Sequence, residues 1–108
     1  MTLNDLKTAL DGTGFKFAHH AWSKAPAGDY GVYAEEGAND LLANGEHIEK
    51  AINGYIDYFT RDDSLTPKRT IEAVLHELGI PWSLNTISYE QDTGYIHYEW
   101  TWGMYGNF

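Results

Sequence analysis

The chain has 108 residues, the size of one domain, and 43% of them are hydrophobic, enough for a core without covalent staples. It contains no cysteine, which excludes disulfides, thiolate zinc sites and cysteine nucleophiles. Sixteen acidic against seven basic residues give a formal charge of −9, and such a surface repels phosphate, so specific nucleic acid binding is not expected.

The opening MTLNDLKTAL has no basic segment leading into an apolar run, so no secretory signal is expected there. No apolar stretch approaches the ~20 residues of a membrane span, and no membrane partner is expected. Residues 2 to 11 predict a short helix: Thr2 can cap it, Asp5 stands at its third position, and Leu3, Leu6 and Leu10 form one apolar stripe. Gly12 and Gly14 end it. FKFAHHAW, residues 15 to 22, alternates with Phe15, Phe17 and His19 on one face and predicts a strand. The loop SKAPAGD follows, then a second strand over Tyr30 to Glu35.

Residues 35 to 47 are rich in Gly, Asn and acids and read as a long exposed connection with at most a short edge element. IEKAINGYIDYFTR, residues 48 to 61, predicts a third strand, firmest from Gly54 to Thr60, with Gly54 as a bulge; over 47 to 53 a helix competes. The second helix has Thr66 as cap, Pro67 at its first position, Ile71, Val74, Leu75 and Leu78 along one side, and Gly79 closing it. Two more strands follow, at about 82 to 91 and 95 to 103. The expectation is a single α+β domain over residues 1 to 108, with an antiparallel sheet, two helices on one face and the order α-β-β-β-α-β-β.

ISYEQDTGYIHYEWTW, residues 87 to 102, predicts a hairpin closed by the loop DTGY, residues 92 to 95, where Gly94 supplies positive φ. That loop pairs Gln91 with Ile96, Tyr89 with Tyr98 and Ile87 with Trp100 as core partners on one face. Ser88 with Glu99 and Glu90 with His97 fall on the other. A one-residue slip would set apolar groups against charged ones. Four Trp and eight Tyr exceed what so small a core can hold. The surplus, Trp102, Met104, Tyr105 and Phe108, is the expected exposed protein interface, with the loop from Glu36 to Glu46 as an arm between neighbours.

Chemistry is sparse. His19 and His20 are adjacent, so on a strand they face opposite ways and do not easily share one ion. His97, Glu99 and Glu90 could form a weak metal site, but a solvated cross-strand charge row is the plainer reading. His76 lacks a second histidine four residues on, GxSxG is absent, and neither GxGxxG nor GxxxxGK[ST] occurs. No catalytic residue, metal ligand or cofactor is assigned, and no enzyme is expected.

GYIDYFTRDD (54 to 63), PKRTIEAVLHELGIPW (67 to 82) and ISYEQDTGYIHYEWTW (87 to 102), with DYGVYAEEGAND (29 to 40) before them, resemble the tail terminator, or tail-completion, proteins of long-tailed bacteriophages and prophages. The likeness lies in element order and residue character over most of the chain after residue 14, and it carries no catalytic residues. It implies an α+β subunit that assembles in the host cytoplasm into a ring, usually hexameric, on the head-proximal end of the tail tube. There it would stop tube growth and join tail to head, with the tube protein and head-tail connector proteins as partners in the virion. A different class stands beside it: an acidic inhibitor or adaptor that mimics nucleic acid and blocks a basic partner. A metal-dependent enzyme built on His97, Glu99 and Glu90 is the third.

Overall fold

The computed structural model describes residues 2–38, 41–43, 47–49 and 51–105. The elements run α1 (Leu3–Asp11), β1 (Phe17–His19), β2 (Tyr30–Ala38), β3 (Leu41–Ala43), β4 (His47–Glu49), β5 (Ala51–Thr60), α2 (Thr66–Leu78), β6 (Trp82–Glu90) and β7 (Tyr95–Tyr105). Five strands form one sheet in the order β1-β2-β5-β7-β6, and β3 and β4 pair separately as a short antiparallel hairpin. The α+β class and the element order are those the sequence predicts, with the β3–β4 hairpin inserted where it read as a connection. One pairing differs in sense: β1 runs parallel to β2, so the sheet is mixed. The helix that competed for residues 47 to 53 does not form; β4 and the start of β5 occupy that stretch.

Both helices carry their apolar stripes into one layer. Leu6 and Leu10 of α1 and Ile71 and Leu75 of α2 are fully buried against Tyr33, Ile56, Tyr58, Tyr98 and Trp100 of the sheet. Thr2 accepts from the Asp5 amide while Asp5 accepts from the Thr2 amide, so α1 opens on the expected reciprocal cap. α2 begins at Thr66 itself, one residue earlier than expected. Leu65 takes the cap position with no side-chain bond, and the Ser64 hydroxyl accepts from the Thr66 amide at 3.3 Å. Gly79 closes α2 at φ 70°. On the core face of the sheet Trp100 stands opposite Ile56, Tyr98 opposite Tyr58, and Trp102 opposite Gly54. The Trp100 indole N–H donates to Glu72 of α2 at 3.0 Å, which satisfies the one polar atom of a fully buried side chain.

The bulge expected at Gly54 falls on the strand across from it: β2 shifts register between Glu35 and Gly37, leaving Glu36 as the extra residue beside the Glu35–Gly54 pair. Gly54 itself also pairs with Trp102, and a Cβ there would lie 2.1 Å from the Ala34 carbonyl oxygen and 2.3 Å from Trp102 Cζ2. The glycine is there because the Trp102 ring lies across it.

The hairpin register also differs from expectation. The loop is Gln91 to Gly94, closed by Glu90 opposite Tyr95, and Tyr89 faces Ile96, Ser88 faces His97 and Ile87 faces Tyr98. Three bonds hold it: the Gly94 amide to the Glu90 carbonyl at 2.8 Å, the Tyr95 amide to the Thr93 hydroxyl at 3.2 Å, and that hydroxyl to the Glu90 carboxylate at 3.2 Å. Gly94 has the expected positive φ, 76°. A shift of two residues keeps every side chain on its face. A second irregularity, between Leu84 and Thr86, puts Trp82 and Leu84 on the same side as Ile87 and Tyr89.

Candidate interaction surface

Two of the four residues expected at a protein interface are placed in the core. β7 runs on to Tyr105, paired with Ala51, so Met104 falls opposite Ile52 and Trp102 opposite Gly54 in the core. Trp102 is 2% exposed and Met104 1%; neither reaches the surface. Tyr105 is exposed, and Phe108 lies outside the described residues, as do residues 39–40 and 44–46 of the Glu36–Glu46 loop. The pairing of β7 with β5 as far as Tyr105 is what buries Trp102 and Met104.

Of the exposed large apolar residues Leu65, Ile87, Tyr89 and Tyr105, two sit together on β6. Ile87 is 53% and Tyr89 64% exposed, two positions apart on one face of an edge strand. They were expected as core partners of Trp100 and Tyr98. The two-residue register shift carries them towards the loop end, where their partners are Tyr98 and Ile96. β6 has β7 on one side and no strand of the described residues on the other, so its outer N–H and C=O groups form an open pairing row.

The face of the sheet opposite the helices is ordered in rows by register. Tyr30, Phe59 and His97 stand side by side across β2, β5 and β7 and stack at 4.9 Å and 4.3 Å. Tyr95 meets Tyr30 and Phe59 edge-on, carries the Arg61 guanidinium 3.9 Å above its ring, and donates its hydroxyl to the Gly28 carbonyl at 2.8 Å. The next row is acidic: Asp57 faces Glu99, and with Glu36, Tyr55, Asn85 and Thr101 they line a shallow cavity of about 310 Å³. His97 Nε2 lies 2.8 Å from Asp57. Burial pushes the Asp57 carboxyl above its ordinary value and Glu99 adds to the push, against the hydrogen bond and charge of His97. The expected grouping of His97, Glu99 and Glu90 does not assemble, because Ser88 takes the place opposite His97 and Glu90 is bonded into the loop.

A different histidine group does assemble. Glu35 receives His19 Nε2 at 2.6 Å on one oxygen and His20 Nε2 at 3.0 Å on the other. The expectation that these histidines diverge fails because the strand stops at His19: His20 adopts φ 69°, the one positive φ of a non-glycine among the described residues. Its ring folds back over His19, with centroids 4.1 Å apart. Partial burial works to raise the Glu35 pKa, but the hydrogen bond from His19 and the two nearby imidazoles outweigh it and hold the carboxyl below its usual range.

Among the described residues no helix is long and apolar enough to cross a membrane. No family model matches the chain, and no curated protein matches it. It is similar in fold to a solved structure of 14% sequence identity, with a TM-score of 0.55 over 97% of this chain and 94% of the other. At that identity the match speaks for the fold alone.

Proposed function

We propose that the chain is a virion structural protein of a long-tailed phage or prophage, a tail terminator or tail-completion subunit that closes the tail tube as a ring and takes part in head-tail joining. The observation that carries this reading is the exposed pair Ile87 and Tyr89 on an edge strand with an unpaired backbone row. Apolar side chains beside an open strand edge are what a second copy of the chain would cover, by strand addition with side-chain burial. The resemblance in element order supports the choice of family. The charge of −9 fits a ring through which DNA slides without adhering, where carboxylates face the opening.

Size-exclusion chromatography with light scattering, alone and after mixing with polymerised tail-tube protein of the same virion, tests it. Rings in solution, or co-elution with tubes, support it; a monomer that never joins tubes rejects it. A second reading, an acidic inhibitor of a basic partner, is favoured by the gathering of Glu36, Asp57 and Glu99 around one cavity. It requires a complex that dissociates as salt is raised, whereas burial of Ile87 and Tyr89 resists salt.

A further inference from the structure

We propose that His19, His20 and Glu35 form a binding site for a late first-row divalent cation, zinc being the ion to test. This stands independently of the tail reading. The three donor atoms lie within 4.8 Å of one another, and each imidazole Nε2 addresses a separate oxygen of the same carboxylate. Zinc bonds of about 2.0–2.1 Å in a tetrahedron set neighbouring donors about 3.3 Å apart. The His–Glu separations of 2.6 and 3.0 Å reach that spacing by sub-ångström side-chain adjustments, and the widest donor separation, within 4.8 Å, by about 1.5 Å of side-chain rotation. Two nitrogens and a carboxylate oxygen select zinc, copper or nickel over magnesium or calcium.

The backbone is arranged to make the cluster. The parallel register sets His19 opposite Tyr33, and Glu35 follows two residues along β2 on the same face. The His19 ring stacks flat on Tyr33, with centroids 4.8 Å apart and planes at 10°. The His20 amide donates to the Tyr33 carbonyl at 2.9 Å, and the Ala21 amide to the His19 carbonyl at 2.9 Å, which fixes the sharp turn between the rings. That turn holds His20 in the left-handed region, where a residue with a side chain is disfavoured, and its result is to bring the second imidazole onto Glu35. One cation held by both Nε2 atoms and a carboxylate oxygen would tie the two rings and Glu35 together. Three protein donors leave a fourth position for water or for a donor from a bound molecule.

Isothermal titration of the metal-stripped full chain with zinc chloride tests the site, with cobalt(II) absorption as a second readout. One zinc per chain is expected, with cobalt giving the intense visible bands of a four-coordinate ion. His19→Ala and Glu35→Gln should each weaken zinc by at least about tenfold. His20→Gly is the decisive variant, because glycine accepts the backbone angle: it should fold at least as well as the parent, by thermal melting, and still lose zinc. His76→Ala, an exposed histidine on α2, should bind as the parent does. The proposal is overturned if no heat is released up to ~100 µM zinc, or if the parent and His20→Gly bind zinc equally.

Discussion

Replacing Gly54 by alanine tests the packing of the core at one atom. Glycine in a strand interior normally weakens it, and Gly→Ala there should stabilise by about 0.5–1 kcal/mol. Here the added Cβ would lie 2.1 Å from a backbone carbonyl oxygen of β2 and 2.3 Å from the indole of Trp102. Real contacts stay beyond 3.0 Å, so the β2 backbone must withdraw by about 0.9 Å. The Trp102 ring cannot yield instead, being 2% exposed within the core. Overpacking of this kind costs about 1–3 kcal/mol, and a clash with backbone belongs at or above the top of that range. At about 4–8 °C per kcal/mol for a domain near this size, Gly54→Ala should melt roughly 10–20 °C lower. Urea unfolding followed by tryptophan fluorescence supplies the free energy. Gly103→Ala is the control, since its Cβ meets only Pro81 at 3.6 Å and the Ile52 carbonyl at 3.9 Å, and it should be neutral or mildly stabilising. If Gly54→Ala falls within ~0.5 kcal/mol of the parent, Trp102 does not lie on that glycine and the account of the sheet's centre fails.

Glu72→Ala should destabilise by about 1–3 kcal/mol, because it leaves the buried Trp100 indole N–H without its acceptor, and Glu72→Gln should recover most of the loss in the same denaturation assay. Ile87→Asp and Tyr89→Asp change exposed positions, so each should leave the melting temperature within a few degrees while abolishing ring formation or tube capture by light scattering; assembly unchanged by both would remove β6 from the interface. Asp57→Asn keeps an acceptor for His97 and removes an acid whose pKa is raised in the folded state. A raised folded pKa means that stability is full below the ordinary carboxylate range and is lost as pH rises through the folded value. The variant should therefore gain on the parent as pH climbs to neutrality and match it under strong acid, by thermal melts across pH. A loss of stability at neutral pH would show that the charge on Asp57 is needed by His97.

Much of the architecture was legible because it rests on periodicity and end signals. The stripe Ile71, Val74, Leu75 and Leu78 between Pro67 and Gly79 can only be an amphipathic helix, and Thr2 with Asp5 marks the other. Four features were not legible. On β6 the apolar residues change parity, Trp82 and Leu84 being even and Ile87 and Tyr89 odd. That switch marks the irregularity near Asn85, which lies too far from the loop for the turn residues to set it. The two-residue register shift was hidden because both registers keep the same faces, and only the side-chain bonds of Thr93 separate them. The His19–His20–Glu35 cluster depends on a positive φ at a histidine and on the parallel pairing of β1 with β2, and neither leaves a mark in residue type. The burial of Trp102 and Met104 follows from the length of β7, which stays paired with β5 through Gly103 to Tyr105.

Electron microscopy of tail tubes polymerised with this chain addresses the central claim most directly. Rings of the protein should sit on one end of each tube and tube lengths should become uniform, and Ile87→Asp should leave the ends bare. Tubes that grow with uncapped ends beside a soluble, folded parent chain would contradict the assignment.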